Sequence, residues 1–344
     1  MNVVERRTAG WVAGALLGAV LASLSACGGG SSETEAAAPA AAPQAVAEQA
    51  PRRAMPAYQR SGITAMTPAP DGKTVAVAHS DGRVRLLDAA SRGEVRQFAP
   101  AGSRVVAGII FGADGRYLVG VGRDTRTQVW DVDSGALKLT LNGAEHPLRA
   151  VGASADGSLV ATGGEETRVM LWDGSTGRLK NILTGSSDFV NAVAVSADGK
   201  RVASGGVDTR VLVWNADSGK MVAALRGHTA PVDAVAIAAD GHSLASGGED
   251  GRVLLWDLHA GQAPTVLQAS GPAMRTVSYS HDGKLLAAAG ADGRIKVWDV
   301  ASRKIVQDEP AGGTAVNAIA FAGDGRELLL GDQQGALRSV SVTR

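Results

Sequence analysis

Three side chains in the second half of the chain invite a chemical reading. His228, Ser246 and Asp250 are the residue types of a nucleophilic triad, in which an acid orients an imidazole and the imidazole takes the proton of a serine hydroxyl. The sequence has no Gly-x-Ser-x-Gly elbow to expose the serine on a strained turn. Asp131-Val132-Asp133-Ser134-Gly135 begins like a calcium loop, but further oxygen ligands are missing and a plain hairpin turn accounts for the same residues. The histidines (His79, His146, His228, His242, His259 and His281) show neither a pair at metal-ligand spacing nor a recurring position that would ring a channel. Phosphate-cradling and dinucleotide glycine patterns are absent. The sequence therefore implies no catalytic constellation, no metal and no cofactor.

The elements that would position these residues are written as a repeat, most legible over Arg226–Asp257. That stretch opens on Gly-His, runs through apolar residues to Asp240-Gly241, through Ser246-Gly-Gly to Asp250-Gly251, and closes on Trp256-Asp257. Asp bonds its own backbone and Gly accepts positive φ, so Asp-Gly marks tight turns and the apolar runs between them read as antiparallel strands. Asp-Gly recurs at Asp71, Asp114, Asp156, Asp198, Asp240, Asp282 and Asp324, one spacing of 43 and five of 42. Trp130, Trp172, Trp214, Trp256 and Trp298 share one repeat position, filled by Leu87 and Val340 in the outermost copies.

A period of this length with Gly-His and Trp-Asp landmarks signals a propeller with one four-stranded blade per repeat. The chain resembles the WD-repeat β-propeller family over roughly its last 290 residues. The fold expected is all-β: a seven-bladed propeller of four-stranded antiparallel blades. The last copy reaches only its third strand before Arg344, so the N-terminal segment Pro51–Pro56 is expected to complete the seventh blade and close the ring. Pro56 suits an outer edge, where one side of the ladder is unpaired.

The resemblance recasts the apparent triad as a structural network of His228, Ser246, Asp250 and Trp256. Neighbouring copies keep Ser204, Asp208 and Trp214, or Thr162, Glu166 and Trp172, and Gln334 stands where the last copy would carry its Asp. The outer copies are accordingly expected to be held more by packing. It also implies which variable positions face the narrow top surface: Ser80, Arg123, Arg149, Glu165, Phe189, Asn191, Asp233, Glu249, Arg275, Asn317 and Gln333. Both charges mixed around one aromatic suit a protein surface better than a polyanion. Phe189 stands where the other copies carry Gly62, Val105, Pro147, Pro231, Ala273 and Ala315.

Composition agrees. The chain has 34 basic and 34 acidic residues, and without Glu5, Arg6 and Arg7 of the leader the balance is 32 against 33. A neutral chain without a basic block argues against nucleic acid. Aromatics are 4% of the residues, so Val, Ala and Leu must build the core, while 45 glycines serve turns and crowded inner strands.

Residues 1–26 read as a lipoprotein signal: Arg6-Arg7, an apolar run from Trp11 to Leu24 too short to span a bilayer, then Leu24-Ser25-Ala26-Cys27. Cys27, the single cysteine, would become the lipidated first residue. An ordinary signal with an incidental cysteine and twin-arginine export are the alternatives. Residues 27–50, rich in Ala, Pro and Gly, have too little apolar area to fold and read as a tether; residues 51–344 are the propeller. Gly28 after the cysteine, rather than Asp, points to the outer membrane, on its periplasmic face. The expectation is a non-enzymatic, monomeric scaffold, anchored to the membrane by lipid, that presents its top face to a periplasmic or envelope protein. The alternative is a propeller enzyme or ligand sensor, resembling lactonases or quinoproteins, with a site in the central channel; the copy-by-copy mapping finds no cluster of His, Asp or Arg there.

Overall fold

The computed structural model describes residues 61–98, 106–112, 114–259, 263–268, 271–312, 314–323 and 325–342. The leader, the tether with Cys27, and Pro51–Pro56 lie outside the described residues. The described chain forms antiparallel sheets in chain order: blade 1 over 63–98, blade 2 over 106–142, blade 3 over 148–184, blade 4 over 190–226, blade 5 over 232–268, blade 6 over 274–310 and blade 7 over 316–341. Blades 1 to 6 have four strands each, and blade 7 has three among the described residues. The first strands of successive blades touch in order, and that of blade 7 touches that of blade 1, so a seven-bladed ring closes around a central channel.

The turn chemistry behaves as the Asp-Gly spacing predicts. Gly241 sits at a φ of 71°, in the left-handed region that costs a residue with a Cβ, and Asp240 accepts the His242 amide at 2.7 Å. The equivalent glycines of the other six copies have φ between 66° and 70°. Asp131 likewise closes a hairpin, accepting the Ser134 amide at 2.8 Å and its hydroxyl at 2.6 Å.

Burial falls from the second strand outward along each blade. In blade 3 every residue of the second strand, Leu159–Gly164, is buried, whereas the outer strand, Leu179–Thr184, is mostly exposed. Second strands are covered by a neighbouring blade on both faces, which explains their run of Ala, Ser, Thr and Gly. A Cβ on Gly205 would stand 2.4 Å from a Val232 methyl of the next blade. Seven apolar clusters result, each shared by two adjacent blades; Ile63, Val75 and Val77 pack on Ala318, Ala320 and Leu329 across the seam between blade 1 and blade 7.

The five repeat tryptophans are each at most 3% exposed and lie in these interblade clusters. Where Leu87 replaces tryptophan in blade 1, a cavity of about 230 Å³ lies between blades 1 and 7. Polar groups reach it: Arg85, 2% exposed, is paired with Glu94 at 3.3 Å and lies 3.1 Å from His79 Nε2. Blade 7 is closed differently from what Gln334 suggests. Asp332, two positions earlier, accepts the amides of Gln334 and Ala336 at 2.9 and 2.8 Å, so the acid that ties this turn has moved along the chain.

Candidate functional site

The His228 set is assembled and buried. His228 Nε2 lies 2.8 Å from Ser246 Oγ, His228 Nδ1 lies 3.0 Å from Asp250 Oδ1, and the Trp256 indole donates to Ser246 Oγ at 2.9 Å. Asp250 also accepts the amides of Thr229 and Arg252 at 2.8 and 3.0 Å. Burial alone would raise the Asp250 carboxyl; these amides together with His228 outweigh it and hold the group below its ordinary range. Burial depresses the His228 imidazole despite its acid neighbour. Ser246 is fully buried and bonded to an indole, an arrangement that braces two strands and offers no path to a substrate carbonyl.

The network varies from copy to copy for local reasons. In blade 3, Trp172 donates to Thr162 at 2.9 Å. In blade 4, Trp214 turns instead to the Thr184 carbonyl at 3.2 Å, although Ser204 is present. In blade 6, Ala288 occupies the serine position, and the buried Trp298 ring N–H has no acceptor among the described residues. Ala288→Ser is therefore expected to raise stability by about 0.5–1.5 kcal/mol, by supplying the acceptor that Ser246 supplies in blade 5. Urea denaturation checks it; an unchanged or lower midpoint would contradict it.

The top-face positions form a rim. The amides of Ser80, Glu165, Glu249 and Gln333 donate to the carbonyls of Gly62, Pro147, Pro231 and Ala315, and that of Val207 donates to Phe189, so Phe189 shares its register with those residues. Ser80, Arg123, Glu249 and Gln333 are exposed on this rim, and Glu165 is half-buried. Phe189 is 39% exposed, and the Arg149 guanidinium lies over its ring, 5.3 Å from the centroid. Arg149 also bonds Glu165 at 3.0 Å and Asn191 at 2.9 Å.

The expectation that no Asp or Arg cluster reaches the channel needs correction. Arg149, Asn191, Asp233, Arg275 and Asn317 do converge from blades 3 to 7, lining a cavity of about 440 Å³ at the channel mouth together with Thr64 of blade 1. They share one position on the innermost strands, where the strand register turns the side chain toward the channel mouth. Thr64, which the mapping omitted, belongs to the same register and was legible from the repeat spacing. Hydrogen bonds run from blade to blade: Arg149 to Asn191, Asn191 to Asp233 at 3.1 Å, Arg275 to Asn317 at 2.9 Å, and Asn317 to the Ile63 carbonyl at 2.9 Å. Asp233 is pushed up to about 6, first by burial and then by Glu249.

The sequence also missed a histidine pair. His242 and His259 lie on neighbouring turns of blade 5, with ring centroids 3.7 Å apart. Among the described residues, no three His, Cys, Asp or Glu side chains converge as a metal site.

Five stretches, residues 51–88, 135–173, 177–215, 219–257 and 262–299, together more than half of the chain, match the family described as "WD domain, G-beta repeat". No curated protein matches the chain. The four later matches begin ahead of an outer strand and end on the third strand of the following blade, and the match from residue 51 begins in the same register. Blades 2 and 7 are unmatched over their inner strands, although both form sheets.

Proposed function

The chain belongs to the WD-repeat β-propeller family, and on that premise we propose that it is a non-enzymatic interaction scaffold, held at the bacterial outer membrane through a lipidated Cys27, that docks an envelope protein on its top face. Propellers of this family commonly serve as interaction scaffolds. The observation that carries the reading is Phe189: a large aromatic exposed on the rim, lying under the Arg149 guanidinium, which in turn bonds Glu165 and Asn191. Aromatic and arginine side chains framed by polar groups are the usual anchors of protein interfaces. Affinity capture from detergent-solubilised envelopes, with partners identified by mass spectrometry, tests the scaffold reading; recovery of no specific protein would contradict it.

Anchoring makes its own prediction. Each buried acyl CH₂ contributes roughly 0.8 kcal/mol, so two or more chains hold a soluble domain at a membrane far more firmly than a neutral surface can. Cys27→Ser is expected to abolish lipidation and move the protein to the soluble fraction. Unlipidated wild-type protein in the soluble periplasm would overturn the lipoprotein reading.

The polar channel mouth favours a second reading, a small-ligand or enzyme site. A carboxyl held near 6, as Asp233 is, suits proton transfer at neutral pH. Turnover on a lactone or alcohol that disappears in Asp233→Asn would favour it.

A further inference from the structure

Blade 1 departs from the repeat at three positions that border one cavity. Leu87 stands where blades 2 to 6 bury tryptophan, and Arg85, two residues earlier, stands where blades 3, 4 and 5 bury Met170, Leu212 and Leu254. His79, eight residues before Leu87, stands where blades 2 to 6 all carry glycine. In blade 5 that position is closed to a side chain, since a Cβ on Gly248 would lie 2.7 Å from the Pro231 carbonyl oxygen. The smaller residue at 87 makes room between blades 1 and 7, and the two larger ones make one side of that room polar.

The cavity has an apolar wall of Ile63, Val77, Leu87 and Leu337 and a cationic one of Arg85 and Arg92, with Glu94 beside them. Burial keeps the His79 imidazole below its ordinary pKa, so the ring is neutral, with Nδ1 3.1 Å from the Ser61 carbonyl and Nε2 3.1 Å from Arg85 Nη1. His79 thereby positions the guanidinium, and Glu94 pairs with its Nε at 3.3 Å. The second guanidinium is less well matched. Arg92 Nη1 is buried with no hydrogen-bond partner among the described residues, and the Arg92–Glu327 ion pair across the seam is 3.8 Å long. A buried charged donor without an acceptor is costly and calls for one.

We propose that the seam cavity between blades 1 and 7 binds a small aromatic carboxylate, its ring where blades 2 to 6 hold an indole and its carboxylate against the Arg85 and Arg92 guanidinium groups. An apolar cavity of about 150 Å³ suffices for a benzene ring, and this one is about 230 Å³. Arginine forks match a carboxylate in shape as well as charge, and the bond strengthens where water is excluded. Glu94, whose side chain is 34% exposed, can turn outward and yield its place on Arg85 to the entering carboxylate. None of the top-face positions lines this cavity, so the proposal is independent of the docking reading.

The test is ligand-observed saturation-transfer NMR on the full-length protein in detergent, titrated with benzoate, benzamide and acetate. Benzoate is expected to bind saturably, with benzamide weaker by about tenfold or more because it lacks the charge. Acetate, which lacks the ring, is expected to be weaker by a similar factor. Arg85→Met, which installs the residue that blade 3 carries, should bring benzoate down to the level of benzamide and leave benzamide unchanged. Leu87→Trp, which restores the indole of the other blades, should abolish binding of both at a melting temperature equal to or above wild type. No saturable binding of benzoate, benzamide binding as tightly as benzoate, or unchanged benzoate affinity in Arg85→Met would overturn the proposal. Benzoate binding that persists in folded Leu87→Trp would also overturn it; if that variant does not fold, Arg85→Met and the benzamide comparison decide.

Discussion

Trp256→Ala is expected to lower the stability of the propeller by about 3–5 kcal/mol, the usual range for deleting a buried tryptophan. The indole is 3% exposed and packs in one cluster with Leu244 and Leu254 of its own blade and Val211 and Val213 of the blade before it. Its ring edge also fits against Gly227, where a Cβ would meet it at 3.0 Å. Deleting the ring opens an interblade cavity and removes the donor from Ser246 Oγ, leaving the hydroxyl to His228 alone. Because folded domains are stable by only about 5–15 kcal/mol, a loss of this size is read easily by urea denaturation. Trp256→Phe should lose less, about 1–3 kcal/mol, because it keeps most of the bulk and gives up the ring N–H. A loss below about 1 kcal/mol for the alanine variant would show that this position does not join the blades.

Most of the fold was legible because a repeat states its own geometry. The Asp-Gly turns and the tryptophan position recur at a nearly constant interval, and both are local requirements, a left-handed glycine in one case and an interblade filler in the other. The copies that drift show where this legibility stops. Asp332 replaces the acid expected at Gln334, and Trp214 finds a backbone carbonyl instead of Ser204; an amide or an indole needs an acceptor nearby but does not dictate which residue provides it.

The candidate site was legible as a set of positions but not as a cavity. Repeat alignment identified Arg149, Asn191, Asp233, Arg275 and Asn317 as variable, and their convergence follows from sevenfold closure, which places residues 42 apart within hydrogen-bond distance. A linear reading has no measure of the channel radius, so it cannot tell a rim from a ring. The contact of His242 with His259 has the same origin: two turns at one end of a blade become neighbours only when the strands pair.

Phe189→Ala combined with Arg149→Glu is expected to abolish partner capture while leaving the fold intact. Phe189 lies just ahead of the innermost strand of blade 4, so truncating it opens no core cavity. Arg149 is half-buried at the mouth, where its bonds to Glu165 and Asn191 arrange the polar surround of the ring. Truncating an aromatic anchor commonly costs about 2 kcal/mol or more of binding, and the reversed charge removes the guanidinium that lies over the ring. The decisive measurement is quantitative capture from solubilised envelopes by wild-type protein, by this double variant, and by Val222→Glu on the exposed outer strand of blade 4. Docking on the top face predicts that the double variant loses the partner at unchanged circular dichroism and melting temperature while Val222→Glu retains it; capture that survives the double change and disappears with Val222→Glu would place the binding surface on the blade edges and contradict the account.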